Sequence, residues 1–178
     1  MIVFLLVFLC NSSVLDKFST FNFLSLIYYW LISCFLIVIF VYDLKHYLIP
    51  DKTIYPVIFI TFFYNLFYSR AFVLNSLYSA LGAGLFFGII FLVSRGKWIG
   101  LGDVKFVFFM GLFLGFPNVF LALFLAFSLG AIIGIGLIIS GKKKLKSKIP
   151  FGPFLVTGTF LALFFGEKII NWYLNLFL

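Results

Sequence analysis

Of the five carboxylates in this chain, two stand where a carboxylate has no ordinary reason to be. Asp16 precedes Lys17 in a turn between apolar runs, and Glu167 neighbours Lys168. Asp51 follows Pro50 and opens a new apolar run, where a helix N-cap belongs. Asp43, by contrast, closes the uninterrupted apolar stretch 35–42, and Asp103 ends the segment WIGLGD at 98–103, directly before Val104 and Lys105. Two carboxyls brought to one site are equipment for hydrolysis. One takes a proton from water while the other polarises the carbonyl under attack.

The ends of the helices suggest a division of labour. Asp43 falls at the C-terminal end of its run, where the helix dipole opposes negative charge, and Asp103 at an N-terminal end, where the dipole favours it. Asp103 is therefore expected to be the base that activates water, and Asp43 the acid. Gly100 and Gly102 lack Cβ atoms and let a substrate backbone come close. Lys105 is expected either to pair with Asp103 or to touch substrate. Cys10 and Cys34 both lie in apolar runs with no CxxC, and His46 is the single histidine. No metal site and no cofactor are expected from such a set.

The elements that must position these groups are membrane helices. The chain is 65% apolar and 10% charged, with 13 Lys and Arg against 5 Asp and Glu and a net charge of +8. Soluble domains carry about 25% charged residues. Apolar runs cover 1–15, 21–42, 54–68, 71–94, 104–116, 119–140 and 151–178. A span takes about 20 residues, which predicts an all-α, polytopic membrane helix bundle of six to seven spans forming one domain over 1–178. The run 1–15 is short and reads as a truncated first span. The run 104–116 is also short, and adding 98–102, with Trp98 as an interfacial anchor, would restore a normal length and carry Asp103 below the lipid surface. Pairs of glycines four apart (Gly84 and Gly88, Gly111 and Gly115, Gly130 and Gly134) are expected to let helices approach closely. Lys45, Lys52, Arg95, Lys97, Lys105 and the five lysines of 142–148 fall in alternate loops, which places those loops in the cytoplasm. The partners expected are the lipid bilayer and a peptide substrate, with no nucleic acid.

Three segments carry a family resemblance. DLKHYLIPD at 43–51, with Asp43, Pro50 and Asp51, resembles the D-x6-P-N/D segment of type IV prepilin peptidases; GLGDVK at 100–105 resembles their GxGDxK motif. IPFGPF at 149–154, with Pro150, Gly152 and Pro153, resembles the segment opening their last span. The resemblance runs over about residues 21–175 in order, by these motifs and FGEKIINWY at 165–173. It implies a membrane-embedded aspartic endopeptidase of the inner (cytoplasmic) membrane, with Asp43 and Asp103 as its catalytic pair. Such enzymes remove short basic leaders from type IV prepilins or pseudopilins at the cytoplasmic face, typically after a glycine. The fuller bacterial members carry two CxxC pairs in an insert and methylate the new N-terminus. Their absence here implies a short form that cleaves without N-methylation. Asp51 is the residue expected to meet the basic leader. Two other classes remain open on the same residues: a proton- or ion-coupled transporter using Asp43 and Asp103 as a relay, and a non-catalytic assembly subunit.

Overall fold

In a computed structural model the described residues are 23–68, 70–141 and 149–177, and every regular element among them is an α-helix. They are α1 (Phe23–His46), α2 (Asp51–Tyr68), α3 (Arg70–Ser94), α4 (Leu101–Leu114), α5 (Asn118–Ile139) and α6 (Gly152–Phe177). In hydrocarbon a backbone must satisfy its own hydrogen bonds, and long apolar runs do so as helices. Among the described residues four stretches are long and apolar enough to cross a bilayer: Ser25–His46, Phe72–Ser94, Asn118–Ile139 and Gly152–Leu176. The protein is an all-α polytopic membrane bundle. The expected first run, 1–15, and the lysine run 142–148 lie outside the described residues. The chain falls into two compact units, Met1–Cys34 and Phe35–Leu178; the first contributes the N-terminal half of α1 to the described residues, and everything below concerns the second.

The short helix α4 is the centre of this unit. It packs chiefly on α3 and also on α2, α5 and α6, and its residues from Phe106 to Leu114 are buried but for Phe108. Close approach to α3 depends on Gly111, where a Cβ would run into the backbone of Ala80. Gly84 meets Phe108, and Gly130 and Gly134 meet Phe154 and Ile149, as the small-residue pattern predicts. The two other glycines of those pairs behave differently. Gly88 faces open space, and Gly115, at φ 68°, is the C-cap that ends α4.

At 14 residues α4 is about 21 Å long, so it ends within the bundle and leaves carbonyls without intrahelical partners. Side-chain amides supply what lipid does not. Buried Asn65 of α2 donates to Leu112 O at 2.7 Å. Asn75 of α3 donates to Phe116 O at 3.1 Å and accepts from Phe116 N at 3.3 Å.

Of the expected extension of this helix through 98–102, only Leu101 and Gly102 are helical. Arg95 and Gly96 turn left-handed, at φ 51° and 72°, and close α3. Residues 97–99 then bend, Gly100 is extended, and the helix begins only at Leu101. The Gly100 N–H donates to the Asp103 carboxylate at 3.0 Å, the returning half of a capping box, which fixes the helix start beyond Gly100. Trp98 stays outside, 78% exposed.

Candidate active site

The C-terminal end of α1 and the N-terminal ends of α2, α4 and α6 meet at one end of the unit. Asp43, in the last turn of α1, is 3% exposed. Its Oδ2 accepts a 2.9 Å hydrogen bond from Gly152 N. The motif around Gly152 explains why that donor is available. Phe151 O accepts from the amides of Phe154 and Leu155, so α6 starts directly after Phe151. The first N–H groups of a helix have no partner inside it. Pro153 gives up nothing by lacking one, and Gly152 offers its own to Asp43. Glycine is needed for space as well. A Cβ on Gly152 would lie 2.6 Å from Asp43 Oδ2 and 2.9 Å from its Cγ.

Asp103, in the first turn of α4, lies within Coulombic reach of Asp43. The two aspartates singled out from the sequence thus converge, although 60 residues separate them in the chain. The contrast expected between them does not survive. Asp43 ends its own helix, yet its carboxylate sits at the N-terminus of α6, so each carboxylate accepts one backbone N–H at a helix start. The dipoles no longer single out one as acid and the other as base.

The supporting residues divide by contact. Tyr47, at φ 56°, ends α1, and Pro50 O accepts from the amides of Thr53 and Ile54 to begin α2. Pro50 therefore holds the N-cap position expected of Asp51, which lies one residue inside. Gly102 presses on the connecting segment: a Cβ there would meet Ile49 Cβ at 3.1 Å. Ile49 is buried and was not legible as a site residue, being one apolar residue among many. Lys105 is drawn to Asp51 rather than to Asp103, with its Nζ 2.7 Å from Asp51 Oδ1 and 4.8 Å from the centre of the Tyr55 ring. Tyr55 was missed as well; its place one helical turn after Asp51 was the available signal. Pro150 lies in the non-helical segment before α6. His46 is occupied locally, stacked on Tyr42 at 4.2 Å with Nδ1 3.2 Å from Tyr42 O. Among the described residues no three His, Cys, Asp or Glu side chains gather as a metal ion would require.

Taken together, fold and site define a multi-pass membrane protein with two acidic side chains gathered at one end of an apolar bundle. The profile described as "Type IV leader peptidase family" matches residues 30–135, a stretch that holds both aspartates. The chain belongs to the type IV leader peptidase family. It is 33% identical over 172 residues to a prepilin leader peptidase/N-methyltransferase of Legionella pneumophila, covering 92% of this chain and 60% of that protein. It is 30% identical over 140 residues to one of Aeromonas hydrophila, covering 76% and 48%. With the leader peptidase HopD of Escherichia coli it shares 30% identity over 138 residues, 74% of this chain and 88% of that one. The chain spans about half to three fifths of the length of the peptidase/N-methyltransferase relatives. No solved structure gives a significant match.

Proposed function

We propose that this chain is an aspartic endopeptidase that cleaves the leader from type IV prepilins or pseudopilins at the cytoplasmic face of the inner membrane, without N-methylating the new end. The observation that supports the reading is that Asp43 and Asp103 stand within Coulombic reach of each other at helix ends of an apolar bundle. One carboxylate takes a proton from water as its oxygen attacks the scissile carbonyl carbon, and the partner carboxylic acid protonates the carbonyl oxygen. Collapse of the tetrahedral intermediate breaks the C–N bond, with a proton passing to the leaving nitrogen. The products are a leader ending in a carboxylate and a stem beginning with a free amine. Coupled carboxyls hold their protons as a pair, so the acid and base roles belong to the dyad.

The side of the membrane follows from charge. Lys45, Lys52, Arg95 and Lys97 flank the aspartates' end of the unit, and the five lysines of 142–148 precede Gly152 closely in the sequence. Asp51, 61% exposed on its side chain, is the acidic group offered to a basic leader. Cleavage without methylation is supported by the sequence, which contains two cysteines and no CxxC pair. A transporter would use the same two acids, but relay sites lie near the midplane and these lie at helix ends. The test is co-expression with a prepilin, scoring leader removal. Wild type should process it, and Asp43→Asn or Asp103→Asn alone should abolish processing. Normal processing by either variant refutes the dyad, and N-terminal sequencing of the product reads the cut position and any methyl group together.

A further inference from the structure

A groove of about 330 Å³ opens between α1 and α6, walled by Ile37 and Phe40 on one side and by Val156, Thr157, Phe160 and Phe164 on the other. Its walls are carbon. The one hydroxyl among them, on Thr157, is turned to Pro153 O at 2.8 Å. The groove starts about one helical turn from the candidate active site along both of its helices. Phe40 lies three residues before Asp43, and Phe164 lies twelve after Gly152. At 1.5 Å per residue the groove begins about 5 Å from the level of the aspartates and reaches about 18 Å beyond it, the depth of roughly one leaflet.

We propose that this groove holds the apolar helical segment of the polypeptide substrate, on the membrane side of the bond that is cut. The inference rests on the peptidase reading and extends it to how the substrate is held. A chain lying against Asp43 has two directions to run. One leads out among Asp51, Lys105 and Lys45 at the charged end. The other leads along α1 and α6 to a depth where a polypeptide must be helical. There the surface it meets takes apolar side chains, in the manner of a helix laid in a groove with contacts at every third or fourth residue. The walls are the two helices joined by the Asp43–Gly152 hydrogen bond, so a segment seated between them is held in register with the carboxyl. Ile37, 56% exposed, stands at the open edge where such a segment enters.

The test uses the full chain in liposomes with a full-length Legionella pneumophila type IV prepilin. Ile37→p-benzoylphenylalanine, irradiated, should crosslink to the apolar segment beyond the cut; adducts to lipid alone overturn the proposal. Thr157→Trp narrows the groove and supplies a second measurement. The ratio of kcat/KM for the liposome-bound prepilin to that for a soluble peptide spanning the cut bond should fall about tenfold or more, as for the lost burial of one large apolar side chain. An unchanged ratio, whether from no loss or from equal loss on both substrates, overturns it. Cleavage by wild type with no crosslink removes the groove and leaves the peptidase; a crosslink with no cleavage removes the peptidase and leaves the groove.

Discussion

Replacing Gly152 by alanine should disable cleavage far more than it destabilises the protein. The backbone at Gly152 is not left-handed, so alanine is unstrained there, and the whole effect comes from the methyl group. That methyl would stand 2.6 Å from Asp43 Oδ2, 2.9 Å from Cγ and 3.1 Å from Cβ, where ordinary contact begins near 3.4 Å. The carboxyl must therefore retreat by about 0.8 Å to regain that contact, and its 2.9 Å bond from the Gly152 amide is disturbed. A displacement of about 1 Å in a reacting group can lower a rate about 10²-fold. Stability responds less. Overpacking costs about 1–3 kcal/mol, while alanine's helix propensity returns up to about 1 kcal/mol. The assay is the initial rate of prepilin cleavage by purified protein, alongside its thermal midpoint. Gly100→Ala is the internal comparison: its methyl would meet Asp103 Oδ2 at 3.2 Å, a few tenths of an ångström of crowding, and should lower the rate less than about tenfold. A folded Gly152→Ala enzyme working at the wild-type rate, or a Gly100→Ala enzyme more damaged than it, refutes the reasoning.

Other expected outcomes follow from single contacts. Asp51→Lys should slow cleavage of a basic leader several-fold and a leader with its lysines changed to glutamates should recover the rate; equal rates on both leaders would remove Asp51 from leader recognition. Gly111→Ala should destabilise by about 1–3 kcal/mol or more, because the atoms it meets belong to the backbone of Ser79 and Ala80 and have no rotamer to yield; an unaltered thermal midpoint in detergent would contradict this. Asn65→Leu strips the 2.7 Å bond from Leu112 O and should cost about 1–3 kcal/mol, read as a lowered denaturation midpoint.

The helices and both aspartates were legible because each rests on information local in sequence. An apolar run long enough to cross hydrocarbon has one viable conformation, and a lone carboxylate ending such a run announces itself. What was not legible is tertiary. Nothing local says that Gly152 serves Asp43 from 109 residues away, or that Lys105 chooses Asp51, 54 residues back, over Asp103, two residues off. The N-terminal end of α4 was misjudged for a related reason. Length alone argued for including Trp98, whereas the Gly100–Asp103 hydrogen bond and the left-handed turn at Arg95 and Gly96 decide where the helix starts. The acid and base roles were read from each aspartate's own helix, and the N-terminus of α6 cancels the difference.

The asparagine clamps at the tail of α4 set limits on how this end of the protein moves. Asn65 ties that tail to α2, Asn75 ties the following turn to α3, and Gly111 leaves no clearance against Ala80. The helix bearing Asp103 is consequently the fixed member of the bundle, unable to slide or tilt without breaking these hydrogen bonds in a medium that offers no replacements. If the proposed cleavage is right, room for the polypeptide would come from the opposite side, at the end of α1 and the start of α6.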